Sequence, residues 1–230
     1  MSLAVLDMAP WRQRLHGSRL LIVLELTLVA AVLVANHRMY LGTEPYLLVL
    51  ALSSLAVRGV RWGDLGFRFG PRWPFHLLAG VIAGVSIETV QLLAAHSGLL
   101  DLTLISPALS DFRGLVGNPK LLLIWIAGAW LMGGIGLELV WRGYLMNRVA
   151  DLVGRSAADW AGTLILVSAA FGLAHADLGA SAIVENSIDG MLLGLLYLAS
   201  GRNLIAPIVA HGVMDTINYL VIYSGHYPGM

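Results

Sequence analysis

The chain is a succession of apolar runs, near 19–35, 45–58, 75–95, 120–147, 158–176, 181–199 and 203–223, and nothing else in it limits the fold as much. A helix needs about 20 mostly apolar residues to cross the hydrocarbon core of a bilayer. In lipid, only helices and closed barrels satisfy every backbone N–H and C=O internally, and runs of this length read as helices. The expected fold is therefore all-α, a multispan transmembrane helix bundle of about seven spans, with an eighth if 99–118 forms a re-entrant or interfacial helix. The second run is short, and the fourth is long enough to tilt or to leave the bilayer. Only 12% of the residues are charged, against about 25% in a typical soluble domain. With 14 basic and 14 acidic residues there is no net charge, and nothing argues for a nucleic-acid partner. No repeat, linker or low-complexity tract divides the chain, so 1–230 reads as one integral membrane domain.

Lys and Arg accumulate on the cytoplasmic side of short loops. Running the odd-numbered spans outward places Arg12, Arg14, Arg19, Arg58, Arg61, Arg68, Arg72, Arg148, Arg155 and Arg202 inside, and only Arg38, Arg113 and Lys120 outside. This predicts a cytoplasmic N-terminus and an external C-terminus. The first run follows basic residues but lacks a small-residue cleavage site, so it is expected to stay in the protein. The richness in Ala, Leu and Gly, with Arg preferred over Lys, suggests a bacterial cytoplasmic membrane.

An ionisable group at the centre of a span costs about 2.5–3.5 kcal/mol on insertion scales and marks a functional candidate. Here such groups recur in three spans. Glu138 and Arg142 stand at i,i+4 in the fourth, where they share a face and can neutralise one another. Alone, the pair reads as a structural ion pair. His175 closes Phe171-Gly172-Leu173-Ala174-His175, and taken alone reads as an interhelical hydrogen-bonder. In the last span His211 and Asp215 share a face, where the carboxylate can orient the imidazole. Pro207, four residues upstream, marks a bend or a helix start.

The chain has no cysteine, so thiol chemistry is excluded. Two imidazoles with carboxylates suit water activation: one group takes the proton of an attacking water while others hold the oxyanion and the leaving group. That chemistry needs no cofactor. Zinc is the alternative, since two His and a carboxylate satisfy a three-ligand site, although the His-Glu-x-x-His spacing is missing. A proton-coupled transporter is a third class, with Gly133, Gly134 and Gly136 interrupting a helix, but the halves show no inverted repeat.

Taken in order, Glu138 to Leu145, Phe171 to His175 and His211 to Asp215 resemble the CPBP family, the group of type II CAAX prenyl proteases and bacteriocin-processing enzymes also called Abi. The resemblance covers about 120–215, and Gly190 to Tyr197 (GMLLGLLY), Asn203 to Gly212 (NLIAPIVAHG) and Arg61 to Arg68 (RWGDLGFR) agree with it. It implies a glutamate-dependent intramembrane endopeptidase whose partners are the bilayer and a membrane-tethered or lipid-modified peptide. The family pattern is Glu-Glu-x-x-x-Arg, then Phe-x-x-x-His, then His-x-x-x-Asn/Asp. By resemblance Glu138, His175, His211 and Asp215 are the catalytic set, and Arg142 supports them. Leu137 departs from the pattern, standing where the first, water-activating glutamate is expected. Four accounts remain open: an altered position that silences the enzyme, a non-catalytic member that binds membrane segments, Glu138 acting through a shifted helix, or Glu88 or Glu185 supplying the carboxylate.

Overall fold

The computed structural model describes residues 15, 17–39, 43–97 and 112–228, and among them it is all-helical with no strand. Most of the predicted 99–118 segment, with Pro107 and Asp111, lies outside the described residues, as do Arg12 and Arg14. Seven helical segments follow the apolar runs. They are α1 (Arg19–Met39), α2 (Glu44–Arg58), α3 (Trp73–His96), α4 (Pro119–Val153), α5 (Ala157–Ala174), α6 (Ala180–Ala199) and α7 (Ile205–Tyr223). The last five are long and apolar enough to cross a membrane, which makes this a multi-pass membrane protein. α2 has 15 residues, or roughly 22 Å at 1.5 Å per residue, short of the hydrocarbon thickness.

Local signals account for the boundaries. Pro45 and Pro119 sit at the first turns of α2 and α4, where the missing N–H costs nothing. The Asn118 side chain accepts from the Leu121 amide at 3.2 Å, and Ser156 and Asp159 cap α5 reciprocally. Pro207 falls in the first turn of α7, so of the two expectations for it the helix start is the one realised. α4 runs six residues beyond the expected 147 because its amphipathic tail, Met146–Val153, continues the helix.

α4 is not a uniform α-helix. Ala129–Leu137 and Leu139–Leu145 are π-helical, with i→i+5 bonding, and Glu138 lies at their junction. The first stretch contains Gly133, Gly134 and Gly136. A Cβ on Gly134 would lie 3.0 Å from the Ile208 carbonyl, so the missing side chain lets α4 press on the backbone of α7.

Lipid tails are as apolar as leucine, so helices in a membrane associate through close packing and hydrogen bonds rather than through a hydrophobic drive. α3 meets α7 through Gly80, Gly84 and Glu88, one face of the helix; a Cβ on Gly80 would fall 2.6 Å from the Ala206 carbonyl. The opposite face, with Leu78, Val81, Ile82 and Val85, is exposed, as a lipid-facing surface is. Trp141, Tyr144 and Leu145 of α4 pack with Leu47 and Leu55 of α2, Phe171 of α5 and Tyr197 of α6 in one buried cluster.

Polar groups also fasten the bundle. Glu25 of α1 is 6% exposed and accepts from Ser54 Oγ at 2.8 Å, Arg58 Nη2 at 2.7 Å and Tyr144 Oη at 3.0 Å. The short α2 can therefore dock inside the bundle: its Arg58 ends against a carboxylate rather than in lipid. Between α2 and α3, Gly66 holds φ +104° and its carbonyl accepts from the Leu204 amide at 2.9 Å; any side chain there would strike the Arg202 carbonyl. This contact fixes the entry to α7.

Candidate active site

The π-helical stretches decide which side chain of α4 faces inward. Glu138 has 0% exposure, whereas neighbouring Leu137 is only partly buried and packs on the apolar cluster around Trp141. Glu138 Oε1 accepts from Arg142 Nη1 at 2.6 Å and bonds His211 Nδ1 of α7 at 2.7 Å. Its Oε2 is buried with no hydrogen-bond partner among the described residues. A buried carboxylate oxygen without a donor is uncommon, because the desolvation penalty is then uncompensated.

Arg142 is held from three sides. Beyond Glu138, its Nη2 donates to the Gly190 carbonyl at 3.1 Å and, more weakly, to the Asp189 carbonyl at 3.4 Å on α6. Its guanidinium lies 5.0 Å from the centroid of the Phe171 ring on α5. The arginine thus joins α4, α5 and α6 and fixes one side of the Glu138 carboxylate.

His211 is 9% exposed and lies between two carboxylates, with Nε2 3.8 Å from Asp215 Oδ2. That distance is an ion-pair contact and too long for a hydrogen bond. Gly133 of α4 borders this gap: a Cβ there would lie 2.7 Å from Asp215 Oδ2 and 3.5 Å from His211 Nε2. The structure so brings Glu138, Arg142, His211 and Asp215 together.

His175 follows the last residue of α5. Its Nδ1 is 2.9 Å from the Phe171 carbonyl, and its ring meets the Phe171 ring edge-on at 4.9 Å between centroids. A carbonyl only accepts, so Nδ1 carries the hydrogen and Nε2 keeps its lone pair in the neutral ring. His175 reaches the Glu138 group through Phe171 and Arg142. No direct hydrogen bond links it to Glu138.

Sequence reasoning treated Gly133 only as a helix interruption and did not see it as a wall of this site. The signal was its place in a glycine-rich run five residues before Glu138. No hydrogen bond or ion pair joins Glu88 or Glu185 to Glu138, and Glu88 Oε2 has no hydrogen-bond partner among the described residues. Among the described residues no three His, Asp or Glu side chains are arranged to hold a metal ion.

Comparison with known proteins agrees with this framework. Residues 119–217, which run from the start of α4 into α7, match the family described as type II CAAX prenyl endopeptidase Rce1-like. No curated protein and no solved structure matches the chain.

Proposed function

With residues 119–217 forming a type II CAAX prenyl endopeptidase Rce1-like domain, we propose that the protein is an intramembrane glutamic-type endopeptidase that uses Glu138 in place of the glutamate missing at Leu137. One observation carries this reading: a fully buried carboxylate bonded to His211 at 2.7 Å whose second oxygen is left without a donor. The substrate is a membrane-associated or lipid-modified peptide, reaching the site between helices.

Arg142 and His211 both bond Oε1 and fix the carboxylate plane, which leaves Oε2 to take a proton from water. The Nε2 lone pair of His175 offers a second acceptor for that water. The water oxygen bonds to the peptide carbonyl carbon, and His211 or a protonated Asp215 donates to the oxygen that becomes negative. The C–N bond then breaks, and the proton held by Glu138 passes to the departing amine. Asp215 and His211 stand beside Gly133, whose missing side chain keeps α4 from crowding them.

A second reading has its own support. Leu137 cannot take up a proton, and Arg142 at 2.6 Å competes for Glu138, both of which suit a non-catalytic member that binds membrane segments without cutting them. Reconstituting the protein with a membrane-tethered peptide separates the two. The peptidase reading expects cleavage that Glu138→Gln reduces by about 10²–10⁴-fold, the usual contribution of a general base. Absence of cleavage by the parent protein, with activity appearing only in Leu137→Glu, would identify a silenced protease, and inactivity of both would favour the binding role.

A further inference from the structure

Beside the site, on the side of α3 and α6, stands a second group of acidic residues that the proposed chemistry does not use. Glu88 of α3 is 2% exposed, and its Oε2 is the unpartnered atom noted above. Its carboxyl interacts electrostatically with those of Asp189, Asp215 and Glu185. Glu185 and Asp189 lie one turn apart on α6, both half-buried. Asp189 Oδ1 accepts from Gln91 Nε2 of α3 at 2.6 Å, and Gln91 lies one turn beyond Glu88 on that helix. Tyr227, just past α7, closes the far side: burial, with Glu185 and Glu88 facing it, pushes its phenol pKa up.

Among the described residues no ion pair reaches Glu88, Glu185 or Asp189; Arg142 donates to the Asp189 main-chain carbonyl, and the charges of Arg142 and His211 act on the Asp189 carboxyl without pairing with it. Carboxylates at membrane depth normally face a cavity and pair with a cation. A metal ion is a poor occupant, because no three of these side chains are arranged to hold one. The carboxylates are instead spread along two helices, which suits a charge on a long flexible stem. A lysine or arginine side chain presents several donors at the end of an apolar stem that can lie along the helix faces.

We propose that Glu88, Glu185 and Asp189 form an acidic subsite that receives a basic side chain of the membrane-tethered peptide. The inference rests on the peptidase reading above. Asp215 links the two centres, since it faces Glu88 and also stands 3.8 Å from His211 Nε2. The basic residue therefore lies close to the bond that is cut.

The test is a binding measurement, so it does not depend on turnover. A fluorescent single-span peptide carrying one lysine beside the cleavage region, and the same peptide with norleucine, are titrated against the protein in nanodiscs. The parent protein is expected to favour the lysine peptide by about tenfold or more, the scale of close charge pairs across an interface. That preference should collapse in the Glu88→Gln/Glu185→Gln double variant while norleucine-peptide binding stays the same. Removing an unpaired buried carboxylate should not lower thermal stability, so a melting curve at or above the parental one guards against a folding artefact. Equal affinity for the two peptides, or a lysine preference that survives the double substitution, overturns the subsite. If neither peptide binds, the peptidase reading falls and the subsite with it; cleavage without a lysine preference removes the subsite alone.

Discussion

Two buried carboxylates of this bundle are built from the same parts and differ in one oxygen. Glu25 has both oxygens engaged, Oε1 by Ser54 and Arg58 and Oε2 by Tyr144, and the three partners tie α1 to α2 and α4. Glu138 has Oε1 engaged twice, by Arg142 and His211, and Oε2 not at all. Both stand in apolar surroundings where an unsatisfied group is expensive. The closed network has nothing left to offer a substrate and can only hold helices together. The open one keeps a reactive oxygen in place at the expense of stability, as a site that must accept a water does.

The comparison can be broken at either end. The largest effect belongs to Glu138→Gln, which keeps the shape of the side chain and removes the proton acceptor: cleavage per folded molecule should fall by about 10²–10⁴-fold, well beyond the stability lost by leaving Arg142 buried without its carboxylate. If the fold melts and the remaining folded fraction cleaves normally, Glu138 is a second Glu25. Arg58→Ala should do the reverse. Leaving the Glu25 carboxylate buried without its arginine should cost about 3–5 kcal/mol in a detergent unfolding assay, with cleavage per folded molecule preserved. Gly133→Ala probes the boundary between site and scaffold. A Cβ 2.7 Å from Asp215 Oδ2 must displace that side chain, so a loss of about 1–3 kcal/mol by overpacking should accompany slower cleavage, read by kinetics and melting together. The smallest change is Tyr144→Phe, which removes one hydrogen bond to Glu25. Interhelical hydrogen bonds in membranes average about 0.6 kcal/mol, and a shift near that size with full activity would confirm that the closed network is distributed and purely structural.

Much of this was legible in the sequence because the bilayer enforces it. The apolar runs fall on the seven helical segments within a few residues, since a span must satisfy its own backbone. Glu138 and Arg142 pair as their i,i+4 spacing implies. What the sequence did not carry is helix pitch and partner choice. The usual helical period cannot signal a π-helical stretch, so the local geometry on either side of Glu138 was not legible. The partners of Glu25 were not legible for a different reason: they are 29, 33 and 119 residues away, and no local pattern joins them. The Gly80 and Gly84 face of α3 likewise gains meaning only once α7 is beside it.

The central claim is that Glu138 activates a water that hydrolyses a peptide bond inside the membrane. Mass spectrometry of a tethered peptide incubated with the reconstituted protein in heavy-oxygen water tests it most directly. The account predicts a single cut, one solvent oxygen in the new carboxylate, and loss of both in Glu138→Gln. An intact peptide with the parent protein, or labelled product that persists in Glu138→Gln, would contradict it.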